Sequence, residues 1–245
     1  MPEFDAYLEL RDKVYLKYRR RDGEMAFIKI NGHLIVLDSQ FKDAKSMAFA
    51  EFGLFNQFKP SLYIKYENNK QLSQKVGCPV TPWVMFPAGW DLVQKFEWGK
   101  ITPIRTAVLA SGKHSLKIMK RVKWFDKARE LDSFDTKVAI PTDKYCRYLK
   151  KSKWGVILSR GNDKNTREYE FISNFLPLAL NYHPEYNFPF HPNQHFYYMR
   201  TPDDLEKLTK VDPQPYHKRS KELWNTYFRP DMASKMLLRM AGIKV

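Results

Sequence analysis

The sequence predicts an α/β protein built on a mostly parallel sheet. Two observations carry this reading. Beyond about residue 100, apolar runs of strand length alternate with helix-length runs of mixed polarity, which is the spacing of βαβ units. Three of those strand or near-strand runs lead into polar loops, at residues 111–113, 159–166 and 181–193. Ligands of parallel sheets bind in loops at the carboxyl ends of the strands.

The elements follow in order. Ala26 to Ile30 and His33 to Leu37 flank Asn31-Gly32, the strongest short hairpin signal. Ser46 to Phe58 has mixed helical spacing, Ser61 to Tyr66 reads as a strand, and Thr81 to Pro87 reads as a strand or extended segment bounded by prolines. Thr106 to Ala110 has the composition of a buried strand and ends in Ser111-Gly112-Lys113. A basic helix is expected from His114 to Leu131, with Leu116, Met119, Val122, Phe125 and Ala128 on one face. Lys137 to Ile140 is a short strand and Thr142 to Lys151 a helix. Trp154 to Leu158 is the next strand, followed by the polar loop from Ser159 to Asn165. A helix capped by Thr166 runs to Asn174, with Glu168 and Glu170 near its positive end. Strands at Leu176 to Asn181 and Phe196 to Met199 follow. Thr201-Pro202 opens a helix with Pro at its first position. Two further helices are expected at Tyr216 to Tyr227 and Pro230 to Ala241.

Composition narrows the function classes. The 245 residues carry 42 Lys+Arg against 27 Asp+Glu, a formal charge of +15. With 17 Phe, 14 Tyr and 6 Trp the chain collapses rather than staying a disordered basic tail. Two cysteines, Cys78 and Cys146, without CxxC spacing, exclude a disulfide scaffold and a cysteine zinc site. No apolar run of membrane-spanning length and no signal peptide is read, so a soluble, cytoplasmic monomer is expected. The excess charge points to a polyanionic partner or a phosphate-bearing ligand. It is concentrated in residues 105–170, which hold 17 Lys+Arg and 8 Asp+Glu.

The sharpest chemical unit is residues 152–170, a strand, a basic Gly-containing loop and a helix start. Arg160, Lys164 and Arg167 can converge at one helix N-terminus, where free N–H groups favour phosphate and Arg adds a bidentate grip. Glu170, one turn in, can accept hydrogen bonds from a ribose diol. The competing reading is a solvated loop with an Arg167–Glu170 ion pair. Ser111-Gly112-Lys113 repeats the theme without Walker spacing.

The helix after it carries Lys117, Lys120, Arg121, Lys123, Lys127 and Arg129, either a solvated face or a track for a nucleic-acid backbone beside Trp124. Arg19-Arg20-Arg21 forms a second basic cluster, expected on a turn. His183, His191 and His195 lie among prolines and read as loop packing before metal ligation, so no metal site is expected. Asp38 follows an apolar strand and is the candidate general base, with Glu51 and Asp91 as rivals.

The run Lys153-Trp154-Gly155, Ser159-Arg160-Gly161, Thr166-Arg167-Glu168-Tyr169-Glu170 and Pro177 to Leu180 resembles the donor-sugar half of GT-B glycosyltransferases, in the style of small viral, phage-type DNA-modifying enzymes. The family's Gly-x-Pro turn before the next strand reads Phe175-Leu176-Pro177 here, with the Pro but without the Gly. Thr201 to Leu205 resembles the family's late strand-to-helix step. The resemblance covers residues 105–245. It implies two Rossmann-like lobes with a cleft between them: an acceptor-side lobe at 1–100 and a donor lobe at 101–215. The C-terminal helices at 216–245 would cross back to the first lobe through Trp224 and Tyr227.

It further implies a nucleotide diphosphate sugar, of UDP type, as co-substrate with no further cofactor. Arg160, Lys164 and Arg167 would hold the diphosphate, Glu170 the hydroxyls, and Asp38 would deprotonate the acceptor. A hydroxymethylated base in double-stranded viral DNA is the expected acceptor, flipped from the helix. A glycan, lipid or protein acceptor is the alternative, and a non-catalytic nucleic-acid-binding protein is a third reading.

Overall fold

The computed structural model describes residues 6–10, 13–20, 23–38, 59–65, 73–74, 76–82, 105–108, 119–131, 134–135, 149, 151–158, 166–184 and 186–245. The chain divides into two compact units. The first comprises Met1–Trp83, Glu185–Phe188 and Asp231–Val245, and the second Val84–Pro184 and Pro189–Pro230.

The first unit holds a six-stranded sheet in the order β1-β2-β3-β4-β5-β6. Its strands are β1 (Ala6–Leu10), β2 (Lys13–Arg20), β3 (Gly23–Ile30), β4 (His33–Asp38), β5 (Leu62–Lys65) and β6 (Val80–Pro82). The first four form an antiparallel meander, and β5 and β6 then add in parallel. The β3–β4 turn is the expected Asn31-Gly32 pair, both with positive φ (48° and 80°), which matches the twist of a two-residue hairpin.

The antiparallel β3–β4 pair is the expected hairpin, whereas β1 and β2, which extend it into a meander, depart from the mostly parallel expectation. In β2 the alternation of Val14, Leu16 and Tyr18 with Lys13, Lys17 and Arg19 is a half-buried strand pattern that a search for βαβ units passes over. Arg19 and Arg20 consequently lie in a strand, opposite Glu24 and Gly23, and not on a turn.

The C-terminal helix α5 (Pro230–Met240) and the residues after it supply part of this unit's core. Ala241 and Ile243 join Ile35, Leu62 and Ile64, with Leu237 and Leu238 packed against them. These are the residues of the C-terminal segment that pack on the first unit, whereas Trp224 and Tyr227 group with the second.

The second unit holds a five-stranded sheet in the order β11-β10-β9-β7-β8, every pair parallel. Its strands are β7 (Arg105–Val108), β8 (Phe134–Asp135), β9 (Ser152–Ile157), β10 (Leu178–Leu180) and β11 (Tyr197–Tyr198). Its helices are α1 (Met119–Glu130), α2 (Thr166–Ser173), α3 (Asp204–Thr209) and α4 (Gln214–Leu223), the last continuing into a π-helical turn at Trp224–Phe228.

Apolar side chains leave both faces of β9. Trp154, Val156 and Leu158 pack with Trp124, Phe125 and Ala128 of α1 and Leu205 and Leu208 of α3. Gly155, on the alternate face, meets Phe171 of α2. A sheet covered on both faces needs near-continuous apolar strands, which is what residues 154–158 supply.

The expected Pro202 start of α3 moves two residues on. Asp203 is the N-cap and the helix begins at Asp204. The Asp204 carboxylate accepts the N–H groups of Arg200 (2.7 Å) and Thr201 (3.0 Å), closing a turn before the helix. The expected elements at 46–58, 137–140 and most of 142–151 lie outside the described residues. Among the described residues no helix is long and apolar enough to cross a membrane.

Candidate functional site

The topology of the second sheet selects one edge. From β7 the chain goes to β8 on one side, then returns to β9 on the other side of β7 and continues outward to β10 and β11. The order therefore reverses between β7 and β9. In an open parallel sheet the crevice at such a switch point, at the carboxyl ends of the strands, is where ligands bind. Ser111, Gly112 and Lys113 follow β7 in the sequence, and Arg160 and Lys164 follow β9; all five lie outside the described residues. What the structure describes on this side is the helix that follows β9.

Helix α2 is held against the sheet by a glycine. A Cβ on Gly155 would stand 2.3 Å from Phe171 Cδ2, so only glycine allows this approach. The Gly155 N–H donates to the Pro177 carbonyl (2.8 Å), joining β9 to the start of β10. Tyr169, Phe171 and Ile172 are buried and make the apolar face of α2, with Tyr169 edge-on to Phe228 at 5.2 Å.

The helix ends where the family pattern has glycine. Phe175 takes φ 57°, its N–H donates to the Ile172 carbonyl, and the Leu176 N–H donates to the Phe171 carbonyl. This is a left-handed helix cap made by a phenylalanine. Its ring packs near His217 (6.4 Å) and under Lys221 (5.9 Å).

The first two turns of α2 present the chemistry. Arg167 and Glu170 are half-buried and three residues apart, hence on one face. Glu170 Oε2 is buried and, among the described residues, accepts no hydrogen bond, while the Glu170 main-chain carbonyl accepts from Ser173 Oγ (3.0 Å) and Asn174 Nδ2 (2.6 Å). A buried carboxylate oxygen without a donor is costly, by about 1–3 kcal/mol, and a ligand hydroxyl is the kind of group that relieves it. Between them Glu168 is fully buried and accepts a hydrogen bond from the Tyr182 phenol. From sequence, Glu168 reads as a residue that suits the positive end of the helix, with no partner implied. Its partner is 14 positions away, in the loop after β10, and carries no local signal.

The other expected residues are distributed as follows. Asp38 ends β4, paired with Met25 on one side and with Lys65 of β5 on the other, at the carboxyl end of the parallel part of the first sheet. Its rivals Glu51 and Asp91 lie outside the described residues, as do Arg21 and Lys117. Lys120 and Arg121 lie in the first turn of α1. Lys123 is exposed. Further along, Lys127 pairs with Glu130 (3.5 Å) and Asp203 (3.8 Å), and Arg129 with Asp126 (3.2 Å). Part of the α1 charge is thus neutralised locally.

The histidines pack. The His191 N–H donates to His195 Nδ1 (2.9 Å), His195 stacks on Phe190, and His183 is edge-on to Phe196. Among the described residues no three His, Cys, Asp or Glu side chains form a group able to hold a metal. Burial, with His191 close by, lowers the His195 pKa. Burial likewise lowers that of His217, against the opposing hydrogen bond from His217 to the Phe175 carbonyl (2.8 Å). Burial pushes the Cys78 thiol up to about 11, away from nucleophilic chemistry at neutral pH.

No protein-family model matches the chain, and no curated protein does. The fold is similar to that in a crystal structure of the GtfA/B complex, with a TM-score of 0.51 and 8% identity over 96% of this chain and 70% of that one. It is similar to TarM with a TM-score of 0.50 and 8% identity over 96% of this chain and 74% of that one. A lesser likeness, TM-score 0.39 and 12% identity, covers 82% of this chain and 47% of the pneumococcal O-GlcNAc transferase GtfA in complex with UDP and GlcNAc. The first two similarities, each spanning almost the whole chain, show that the chain shares their mixed α/β fold.

Proposed function

We propose that this protein is a glycosyltransferase that moves a sugar from a nucleoside-diphosphate sugar, of UDP type, to a hydroxyl acceptor. The observation that carries the reading is the start of α2, with Arg167 and Glu170 on one face and Glu170 Oε2 buried without a donor among the described residues. The helix follows the strand at the sheet's switch point. In the proposed reaction the bond between the sugar's anomeric carbon and the diphosphate oxygen breaks, and a bond to the acceptor oxygen forms. The leaving diphosphate gains charge, which Arg167, Arg160, Lys164 and the α2 N-terminus stabilise, with Ser111-Gly112-Lys113 as a second phosphate contact. Glu170 accepts hydrogen bonds from the ribose or sugar hydroxyls. Asp38 takes the acceptor proton.

The acceptor we favour is a hydroxymethylated base in duplex DNA. The formal charge of +15 and its concentration in residues 105–170 support a polyanionic acceptor over a neutral glycan. Arg19, Arg20 and Arg21, with Lys117, Lys120, Arg121 and Lys123, are the proposed backbone contacts.

The test is incubation with labelled nucleotide sugars and, in parallel, hydroxymethylated DNA, plain DNA and lipid or glycan acceptors. Label entering only the hydroxymethylated DNA supports the favoured acceptor. Label entering a glycan or lipid keeps the transferase reading and replaces the acceptor. DNA binding with no turnover of any nucleotide sugar supports a non-catalytic nucleic-acid-binding protein. In a competent assay Glu170→Gln is expected to raise KM for the donor about tenfold or more, through one weakened hydroxyl contact.

A further inference from the structure

The buried pair of Glu168 and Tyr182 has no part in the chemistry above, yet it sits beside it. Glu168 belongs to the first turn of α2 and is fully withdrawn from solvent. Tyr182 is 5% exposed and stands two residues beyond the end of β10. Strands β9 and β10 are parallel neighbours. Their carboxyl ends therefore lie side by side, and the phenol–carboxylate bond ties the loop leaving β10 to the helix that follows β9.

Burying a carboxylate is unfavourable unless hydrogen bonds compensate it. Apolar contact alone would hold α2 on the sheet, and Phe171 against Gly155 of β9 already supplies such contact. A hydrogen bond adds direction, which dispersion does not. At about 100° per residue, fixing the azimuth of Glu168 fixes the directions of Arg167 and Glu170 on either side of it.

We infer that Glu168 is a positioning residue for the nucleoside-diphosphate site. Its bond with Tyr182 sets the rotation of the first turn of α2, and so aims the Arg167 guanidinium and Glu170 Oε2 at the ligand. This rests on reading that helix start as the donor site.

The test is calorimetric binding of UDP, ADP, GDP, CDP and dTDP to the full chain, with melting temperature and hydrogen exchange across residues 166–170. Tyr182→Phe keeps the ring and removes the donor. Glu168→Asp keeps the charge and shortens the reach. Each is expected to weaken binding of the preferred diphosphate about tenfold, the loss of one well-aligned contact, and to speed exchange in 166–170, with the melting temperature lowered in Tyr182→Phe because the buried carboxylate loses a donor. Glu168→Gln retains an acceptor for the phenol and is expected to bind within about threefold of the unaltered chain. Unchanged affinity in whichever of Tyr182→Phe and Glu168→Asp folds overturns the positioning role alone and leaves the site reading standing. A Glu168→Gln variant that folds but loses binding overturns it too, since charge and not direction is then the requirement. Failure of the unaltered chain to bind any of the five diphosphates overturns the site reading and the positioning role together.

Discussion

Gly155 and Phe171 set how closely α2 lies to the sheet. Phe171 is fully buried and cannot swing into solvent to admit a Cβ 2.3 Å away. Gly155→Ala is therefore expected to cost about 3 kcal/mol, the upper range for overpacking a core. The urea midpoint measures it, and Gly155→Ala with Phe171→Leu should recover part of the loss. An unshifted midpoint in Gly155→Ala would mean that the close approach is not what fixes the helix. The contact with Phe171 was not legible in the sequence, where Gly155 reads as a strand position in the run that carries the family resemblance. Phe175 is a similar case. The missing glycine was visible, but not that phenylalanine would take φ 57° at a strain of about 1–2 kcal/mol with His217 and Lys221 beside its ring. The place of Glu170 on one face with Arg167 was legible because their spacing is local. Glu168 was not, because its meaning depends on a tyrosine from another loop.

At the scale of elements, a buried histidine in the loop before β11 and polar anchors at the starts of α3 and α4 make stability depend on pH. His195 and His217 have lowered pKa values in the folded chain, so folding favours their neutral forms. The unfolded chain, with imidazole pKa near about 6.5, takes up these protons first as pH falls. Their contribution is full above about 6.5 and is lost as pH falls through the folded values. Burial raises the Asp204 pKa, but Lys207 (2.7 Å) and the Thr201 and Arg200 amides outweigh it and hold the carboxyl below its ordinary range. That contribution is present above about 3.9 and is lost at still lower pH.

The melting temperature should therefore be flat from pH 8 to 7, decline below about 6.5, and decline again below about 4. His217→Gln, which keeps a donor for Phe175, should shrink the first decline; a profile without it would contradict the burial account. Strands β9 and β10 were legible as short apolar runs, and helix α2 from Thr166 at its start with acidic residues in the first turn. The start of α3 was displaced because the Asp204 carboxylate competes for the backbone ahead of the helix. The π-helical turn at Trp224–Phe228 leaves no mark in a 3.6-residue pattern.

For the whole molecule, the parallel sheet of the second unit was legible from alternating strand and helix runs, and the meander of the first unit only at its β3–β4 hairpin. Its strands β1 and β2 are rich in charge, and their alternation shows only when period two is sought. Net charge is the other property of the whole chain. If the excess of residues 105–170 tracks a duplex, affinity for DNA should fall steeply with salt, with a log–log slope of about −4 or steeper for four or more phosphates. A shallow slope would move the acceptor away from DNA without touching the donor site. The donor site is the central claim, and the turnover of nucleotide sugars by the unaltered chain and by Arg167→Ala tests it most directly. The account predicts release of nucleoside diphosphate by the unaltered chain and a loss of about a hundredfold or more in kcat/KM for Arg167→Ala, with the fold retained. Equal turnover in the two proteins, or none in the unaltered chain with any nucleotide sugar and acceptor, would contradict it.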